Sequence, residues 1–281
     1  MEQRMICKET LCKPMSEPKS SIYCYLFNAK KFSFSYRETL TNFSQFADEV
    51  VVATIKDEDN TAALLHELAK ELPNLKVVET DIVTTSNRFD GLLKTAALKA
   101  TIHPIKIIAD CDEVFILAQK PLWEERYKWL MNANVDGILV PVIDLYGSPE
   151  KIRAEGEIGQ KFRIHKSTVV ERGVIKSAEL YNGRFRTDMS DCTEPLNANG
   201  DLARFTSFTQ RMALFPAYAR FLEKDMYVVH EGYLSLENRA KINKEFWKEK
   251  WQDRSGIEEN VVTDLGRLQR TLTVEHGLPI R

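Results

Sequence analysis

Apolar residues in the first half of the chain alternate between two periods. Residues 21–27 (Ser-Ile-Tyr-Cys-Tyr-Leu-Phe), 49–55 (Glu-Val-Val-Val-Ala-Thr-Ile) and 105–108 (Ile-Lys-Ile-Ile) are short runs rich in β-branched and aromatic side chains, and 75–79 (Leu-Lys-Val-Val-Glu) is a weaker one. Runs of this length and composition predict buried strands. Between them Leu40, Phe43 and Phe46, then Leu64, Leu65, Leu68 and Leu72, then Leu92, Leu93, Ala96, Ala97 and Ala100 recur near helical spacing. Each set predicts a helix with one apolar face. Asn60 or Thr61 is placed to cap the second helix, Pro73-Asn74 to end it, and Thr84-Thr85-Ser86-Asn87 to cap the third. Strand alternating with helix is the pattern of right-handed β-α-β units, so the expected fold class is α/β with a mainly parallel central sheet flanked by helices.

Farther along, Trp123, Tyr127 and Leu130 predict a fourth helix, and residues 136–144 a further strand whose internal Pro141 favours an edge or a bulge. Residues 147–201 hold short apolar pieces such as Lys161-Phe162-Arg163-Ile164 among charges and turn residues, the composition of a loop-rich lobe over a rigid sheet. A helix is expected over residues 202–222, bent at Pro216. Residues 227–233 read as a strand broken at Gly232, and Ser235 as the cap of a charged C-terminal helix reaching Trp251. Without a repeat or a low-complexity linker, one continuous globule is expected. Its parts are a leader (1–20), an α/β half (21–146), a second half (147–234) and a helical segment (235–281).

The 281 residues, 43% of them apolar and 28% charged, suffice for a sizeable core. A formal net charge of -2 argues against a nucleic-acid footprint. No apolar run approaches the roughly 18 to 20 residues of a spanning helix, so no transmembrane segment is expected. The first 20 residues carry lysines without an apolar core and are expected to form a loosely held leader rather than a signal peptide. Five cysteines, scattered and without C-x-x-C spacing, fit free thiols in a reducing cytoplasm.

The chemistry concentrates where the strand 105–108 runs into Asp110-Cys111-Asp112-Glu113. If the backbone stays extended, Asp110 and Asp112 converge on one face while Cys111 turns inward. Hard oxygen donors of this kind suit Mg²⁺ or Mn²⁺. In open α/β sheets, ligands bind outside the carboxyl ends of the strands, which is where these acids lie.

With these residues in hand, the chain resembles the GT-A fold glycosyltransferases, most closely the broad family 2 group that includes cell-wall and lipopolysaccharide sugar transferases. The resemblance runs through Asp48-Glu49-Val50-Val51-Val52 with Asp59-Asn60-Thr61, through Lys94-Thr95-Ala96-Ala97-Leu98, through Asp110-Cys111-Asp112-Glu113 (similar to D-A-D-E), and through Val229-His230-Glu231-Gly232-Tyr233. It implies a single GT-A-like globule with a loop-rich acceptor lobe, a UDP- or GDP-linked sugar donor and a hydroxyl-bearing glycan acceptor. It further implies that Mn²⁺ or Mg²⁺ sits on Asp110, Asp112 and His230. Lys94 and Arg88 are the implied diphosphate contacts, with Asp110 also available to the donor. The family's base-reading Asp is matched here by Thr54, with Asp57 three residues on, so the base is left open. An inverting transferase also needs a carboxylate to deprotonate its acceptor, for which Asp191 ranks first and Glu194 second. The alternatives are a non-catalytic nucleotide- or glycan-binding relative and, behind it, a sugar-phosphate nucleotidyltransferase.

Overall fold

Glu49–Ile55 is buried at every position, as a strand must be when helices cover both faces of its sheet. The computed structural model of the chain describes residues 17–83, 89–145, 151–153, 159–168, 170–173, 179–181, 184–186, 193–196, 199, 205–207, 226–232, 235 and 271–273. Its first part runs β1 (Ser20–Tyr25), α1 (Tyr36–Phe46), β2 (Glu49–Ile55), α2 (Thr61–Glu71), β3 (Leu75–Thr80), α3 (Phe89–Lys99), β4 (Ile105–Ile108), β5 (Glu113–Phe115), α4 (Lys120–Asn132) and β6 (Gly137–Asp144). The described strands beyond it are β7 (Lys151–Arg153), β8 (Gly159–Lys166), β9 (Val170–Gly173), β10 (Glu179–Tyr181), β11 (Arg184–Arg186), β12 (Thr193–Leu196), β13 (Phe205–Ser207), β14 (Val228–His230) and β15 (Thr271–Thr273).

The main sheet has the order β3-β2-β1-β4-β8-β6-β14-β5, with β13 also on β6. From β3 to β4 every pair is parallel; β8 enters antiparallel to both β4 and β6. The expected α/β class with a mainly parallel sheet is what the chain adopts. Alternation along β1, β2 and β4 divides the core in two. Ile22, Cys24, Val50, Val52, Ile105 and Ile107 pack with Leu40, Phe43 and Phe46 of α1, Leu65 and Leu68 of α2, and Trp123, Tyr127 and Leu130 of α4. Tyr23, Val51, Ala53, Ile55 and Ile108 face Phe89, Leu93 and Ala97 of α3.

Four expectations change. Asn60 occupies the N-cap position of α2, left-handed, but its side chain makes no capping bond; Asp57 accepts the Thr61 amide instead, at 2.9 Å. Pro141 lies on an interior strand rather than an edge. The β13 ladder on β6 stops at Leu139 and the β14 ladder starts at Val142, so the residue without an amide hydrogen falls in the gap between them. The helix expected from residue 202 gives way at Phe205–Ser207 to a strand parallel to β6, because pairing to an exposed ladder overrides local helical preference. The rest of that stretch, the cap at 84–87, the leader through residue 16 and the helix after Ser235 lie outside the described residues. Finally β4 ends at Ile108, and the acids follow in a turn closed by the Glu113 amide on the Asp110 carbonyl at 3.0 Å, so extended alternation does not set their directions.

A polar row crosses the buried sheet at one level, Glu49, Ser21, Lys106 and His165 being register partners from β2 through β8. The Glu49 carboxylate accepts from Ser21 Oγ at 2.6 Å and from the Ile102 amide at 2.9 Å. His165 Nδ1 donates to the Lys166 carbonyl at 3.0 Å, which leaves Nε2 to accept from the Tyr23 hydroxyl at 2.9 Å. Burial lowers the His165 pKa from 6.5 to about 4, with a smaller lowering from Lys106 and an opposing pull from the Lys166 carbonyl. The native state therefore binds fewer protons than the unfolded chain between pH 4 and 6.5, and stability falls as pH drops through that window. At roughly 1.4 kcal/mol per pH unit the full loss is about 3 kcal/mol. Urea melts at pH 4.5 and 7 are expected to show this difference in wild type and a clearly smaller one in His165→Gln; equal differences in both would contradict it.

Candidate functional site

The carboxyl ends of the parallel strands β1, β2 and β4 open onto one edge of the sheet, and the turn 109–112 sits on that edge. Each acid of this turn faces a basic side chain from a different element. Asp110 Oδ1 lies 3.0 Å from Lys94 Nζ, which α3 delivers while burying the lysine to 5% exposure. Asp112 Oδ2 lies 3.2 Å from Nε2 of His230, the last residue of β14. Glu113, fully buried as the first residue of β5, is bound by the guanidinium of Arg163 from β8.

Backbone bonds fix these side chains in place. The Asp110 amide donates to Glu113 Oε2 at 2.9 Å, and the Glu231 amide donates to the Asp112 carbonyl at 2.7 Å. Pairing of β14 with β5 sets His230 opposite Glu113. Gly232 completes the arrangement: a Cβ there would fall 2.4 Å from His230 Nε2 and 2.8 Å from Asp112 Oδ2. Its bare Cα keeps open a cradle in front of these two atoms, which any other residue would fill.

Cys111 turns into the core, as expected. A hydrogen bond with Cys24, then burial, hold its thiol well above the ordinary range, so it is no nucleophile. Tyr25, the last residue of β1, places its ring 5.8 Å from Lys94 Nζ and 6.3 Å from the Phe89 ring. The lysine thus sits between a carboxylate and an aromatic face.

The other residues read from the sequence lie as follows. Thr54 is fully buried near the end of β2, its carbonyl accepting from Thr80 Oγ1 at 3.2 Å. Asp57 accepts the Asn28 amide on one oxygen at 2.6 Å and the Thr61 amide on the other, and Asp59 accepts the Lys31 amide at 2.6 Å. These bonds stitch the loop after β1, left-handed at Asn28 and Ser33, to the loop after β2. Glu194 lies in β12, paired in register with Arg172 of β9. Arg88 and Asp191 lie outside the described residues. The structure therefore brings Lys94 to Asp110 and His230 to Asp112 on one turn, and sets Thr54 and Asp57 together at the end of β2.

Three residues of the site escaped the sequence reading: Arg163, Gly232 and the role of Glu113. The signal for Arg163 was a lone guanidinium inside an apolar alternation, Phe162-Arg163-Ile164. A charge in such a place needs a buried partner, and it lay fifty residues upstream.

Asp112 with His230 is an oxygen-plus-imidazole donor pair of the type that Mn²⁺ accepts, and Gly232 leaves these two atoms uncovered by a side chain of its own. No group of three or more such donors is assembled among the described residues. A divalent ion that keeps waters and takes substrate oxygens can bind through so few protein ligands.

No protein-family model and no curated protein matches the sequence. Solved structures similar in fold include S. aureus TarS 1-349, with a TM-score of 0.46 and 13% identity over 86% of this chain and 68% of that one, and the same segment in complex with UDP, at 0.41 and 16% over 86% and 74%. Another is the mannosyltransferase PcManGT from Pyrobaculum calidifontis in complex with GDP-Man and Mn²⁺, with a TM-score of 0.40 and 14% identity over 90% of this chain and 75% of that one. None of the helices among the described residues is long and apolar enough to cross a membrane.

Proposed function

We propose that the chain is a glycosyltransferase that moves a sugar from a nucleotide-diphosphate donor to a hydroxyl acceptor. The observation that carries this reading is the acidic turn at the carboxyl ends of parallel strands, with Lys94 on Asp110 and His230 on Asp112. Asp112 and His230 would hold the divalent ion, Mn²⁺ or Mg²⁺, with Asp110 as a further oxygen donor. Such an ion, once bound, neutralises charge that develops on the departing diphosphate.

The side chains do the rest. Lys94 donates from its ammonium to a diphosphate oxygen, exchanging part of its contact with Asp110 for one with substrate. The low polarity around this buried lysine strengthens the contact. A carboxylate, Asp191 or Glu194, takes the acceptor's hydroxyl proton; the oxygen attacks the anomeric carbon as the bond to the diphosphate breaks, and the configuration inverts. The donor is UDP- or GDP-linked, and the acceptor a hydroxyl-bearing glycan, free or linked to lipid or protein.

Melting curves of the whole chain with UDP, GDP and their sugar conjugates, with and without Mn²⁺, test this reading. A nucleotide that binds the folded state at 100 times its Kd raises stability by about 2.7 kcal/mol. The expected result is an Mn²⁺-dependent rise with at least one nucleotide sugar, together with release of free nucleoside diphosphate on long incubation. Binding without any release would support the non-catalytic relative, to which Thr54 in place of the family's base-reading Asp points. No rise with any donor would overturn both.

A further inference from the structure

Arg163 is the extra residue of a β-bulge. Along the antiparallel pair of β6 and β8, Ile138 opposes Ile164 but Leu139 opposes Phe162, so Arg163 is skipped by the register. A bulge bends its strand and re-aims the side chain of the unpaired residue. Here the guanidinium, 1% exposed, is aimed at both flanks of the acidic turn. It donates through Nη1 to the Ile108 carbonyl, the last of β4, at 3.2 Å, and through Nη2 to Glu113 Oε1, the first side chain of β5. The other Glu113 oxygen then accepts the Asp110 amide, and the Glu113 amide returns to the Asp110 carbonyl.

We propose that Arg163 is a positioning residue of the nucleotide-sugar site, holding the turn from Asp110 to Asp112 in its binding shape through Glu113. This rests on the glycosyltransferase reading above for its substrate, though not for its geometry. One planar fork spans the entry and the exit of the turn, and both of its bonds are needed. A lysine has a single point of attachment and reaches only one side. Partners behind a ligand set typically govern affinity by about 10- to 100-fold without touching the ligand. Arg163 acts in that way: Asp110 and Asp112 keep their identities in its absence but lose the closed turn that aims them.

The test compares wild type, Arg163→Lys, Arg163→Gln and the double change Arg163→Met with Glu113→Gln. The double change removes both buried charges together and keeps an oxygen for the Asp110 amide, so it folds where a single change leaves one charge stranded. Amide hydrogen exchange is followed at Asp110 and Glu113 and, for reference, at Val51 of β2, alongside calorimetric binding of UDP and GDP in Mn²⁺. In folded Arg163→Gln, exchange at Asp110 and Glu113 is expected to rise about 10-fold or more while Val51 is unchanged. Nucleotide affinity is expected to fall about 10-fold, with Arg163→Lys between the two and the double change still weak in binding despite a restored melting temperature. Unaltered exchange at Asp110, or an equal rise at Val51, would overturn the positioning role; so would wild-type affinity in a folded variant. If wild type bound no nucleotide, the glycosyltransferase reading would fall while the exchange data still decided whether Arg163 sets the turn.

Discussion

Asp112→Ala is expected to lower sugar transfer, or donor hydrolysis where no acceptor is supplied, by about 100-fold or more, with a melting temperature close to wild type. The argument compares the partners that each acid leaves behind. Asp112 is partly open to solvent and its partner is an imidazole, which is stable without charge. Removing the carboxylate therefore strands nothing buried. What it removes is the oxygen donor beside Gly232, and a 100-fold loss corresponds to about 2.7 kcal/mol of transition-state stabilisation. Asp110→Ala differs because it leaves the buried ammonium of Lys94 without its carboxylate, and a drop in melting temperature accompanies the loss of activity. Asp110→Asn, which keeps an oxygen toward Lys94, separates the two effects. Steady-state rates with Mn²⁺ and thermal melts on the same samples check all three variants. Transfer by Asp112→Ala at the wild-type rate would rule out the assigned role.

Glu113→Ala is expected to be among the most destabilising single changes in the chain, by about 3–5 kcal/mol. Glu113 and Arg163 are both buried and matched to each other. Taking away the carboxylate leaves a guanidinium that cannot lose its proton, held in a site closed to water. It also removes the acceptor of the Asp110 amide, at a further cost for an unsatisfied donor. For a chain of this size the unfolding midpoint should fall by roughly 10 °C. Glu113→Gln retains the shape and the acceptor and should cost distinctly less. Denaturant melts of both variants check the ordering, and equal destabilisation would show that the charge, lost in both, outweighs the shape and the acceptor that Glu113→Gln retains.

Much of the first half of the molecule was legible because period and burial coincide there. The run 49–55 matches β2 residue for residue, and the helical spacing of Leu40, Phe43 and Phe46 matches the buried face of α1. Trp123, Tyr127 and Leu130 likewise proved to be the buried residues of α4. In each case one local property, the spacing of apolar side chains, decides both the element and its orientation. At residues 205–207 that coincidence fails. Phe205–Ser207 is a strand because β6 offers it a ladder, and no local pattern carries that information. For Pro141 the edge alternative fails for the same reason, since an interior proline is tolerated where neighbouring ladders leave a gap.

The site divides along the same line. Chemistry-bearing residue types and their position at a strand end could be read directly from the sequence, and in the structure Lys94 lies against Asp110 and His230 against Asp112. Their pairing could not be read. A turn rather than an extended strand directs Asp110 to α3 and Asp112 to β14, and the partners lie 16 and 118 residues away in sequence. Asp57 shows the converse, an acid placed near the sheet edge whose two oxygens are taken up by the amides of Asn28 and Thr61.

By itself, then, the sequence determined the α/β class, the order of the first elements and the end of the sheet where acids gather, because these follow from side-chain period and strand polarity. Only the tertiary structure decided which base answers each acid, that a bulge turns Arg163 toward Glu113, and that Gly232 keeps the space before Asp112 and His230 open. Those outcomes depend on register between distant strands, and a single skipped residue in a ladder redirects a side chain without leaving any periodic trace in the sequence.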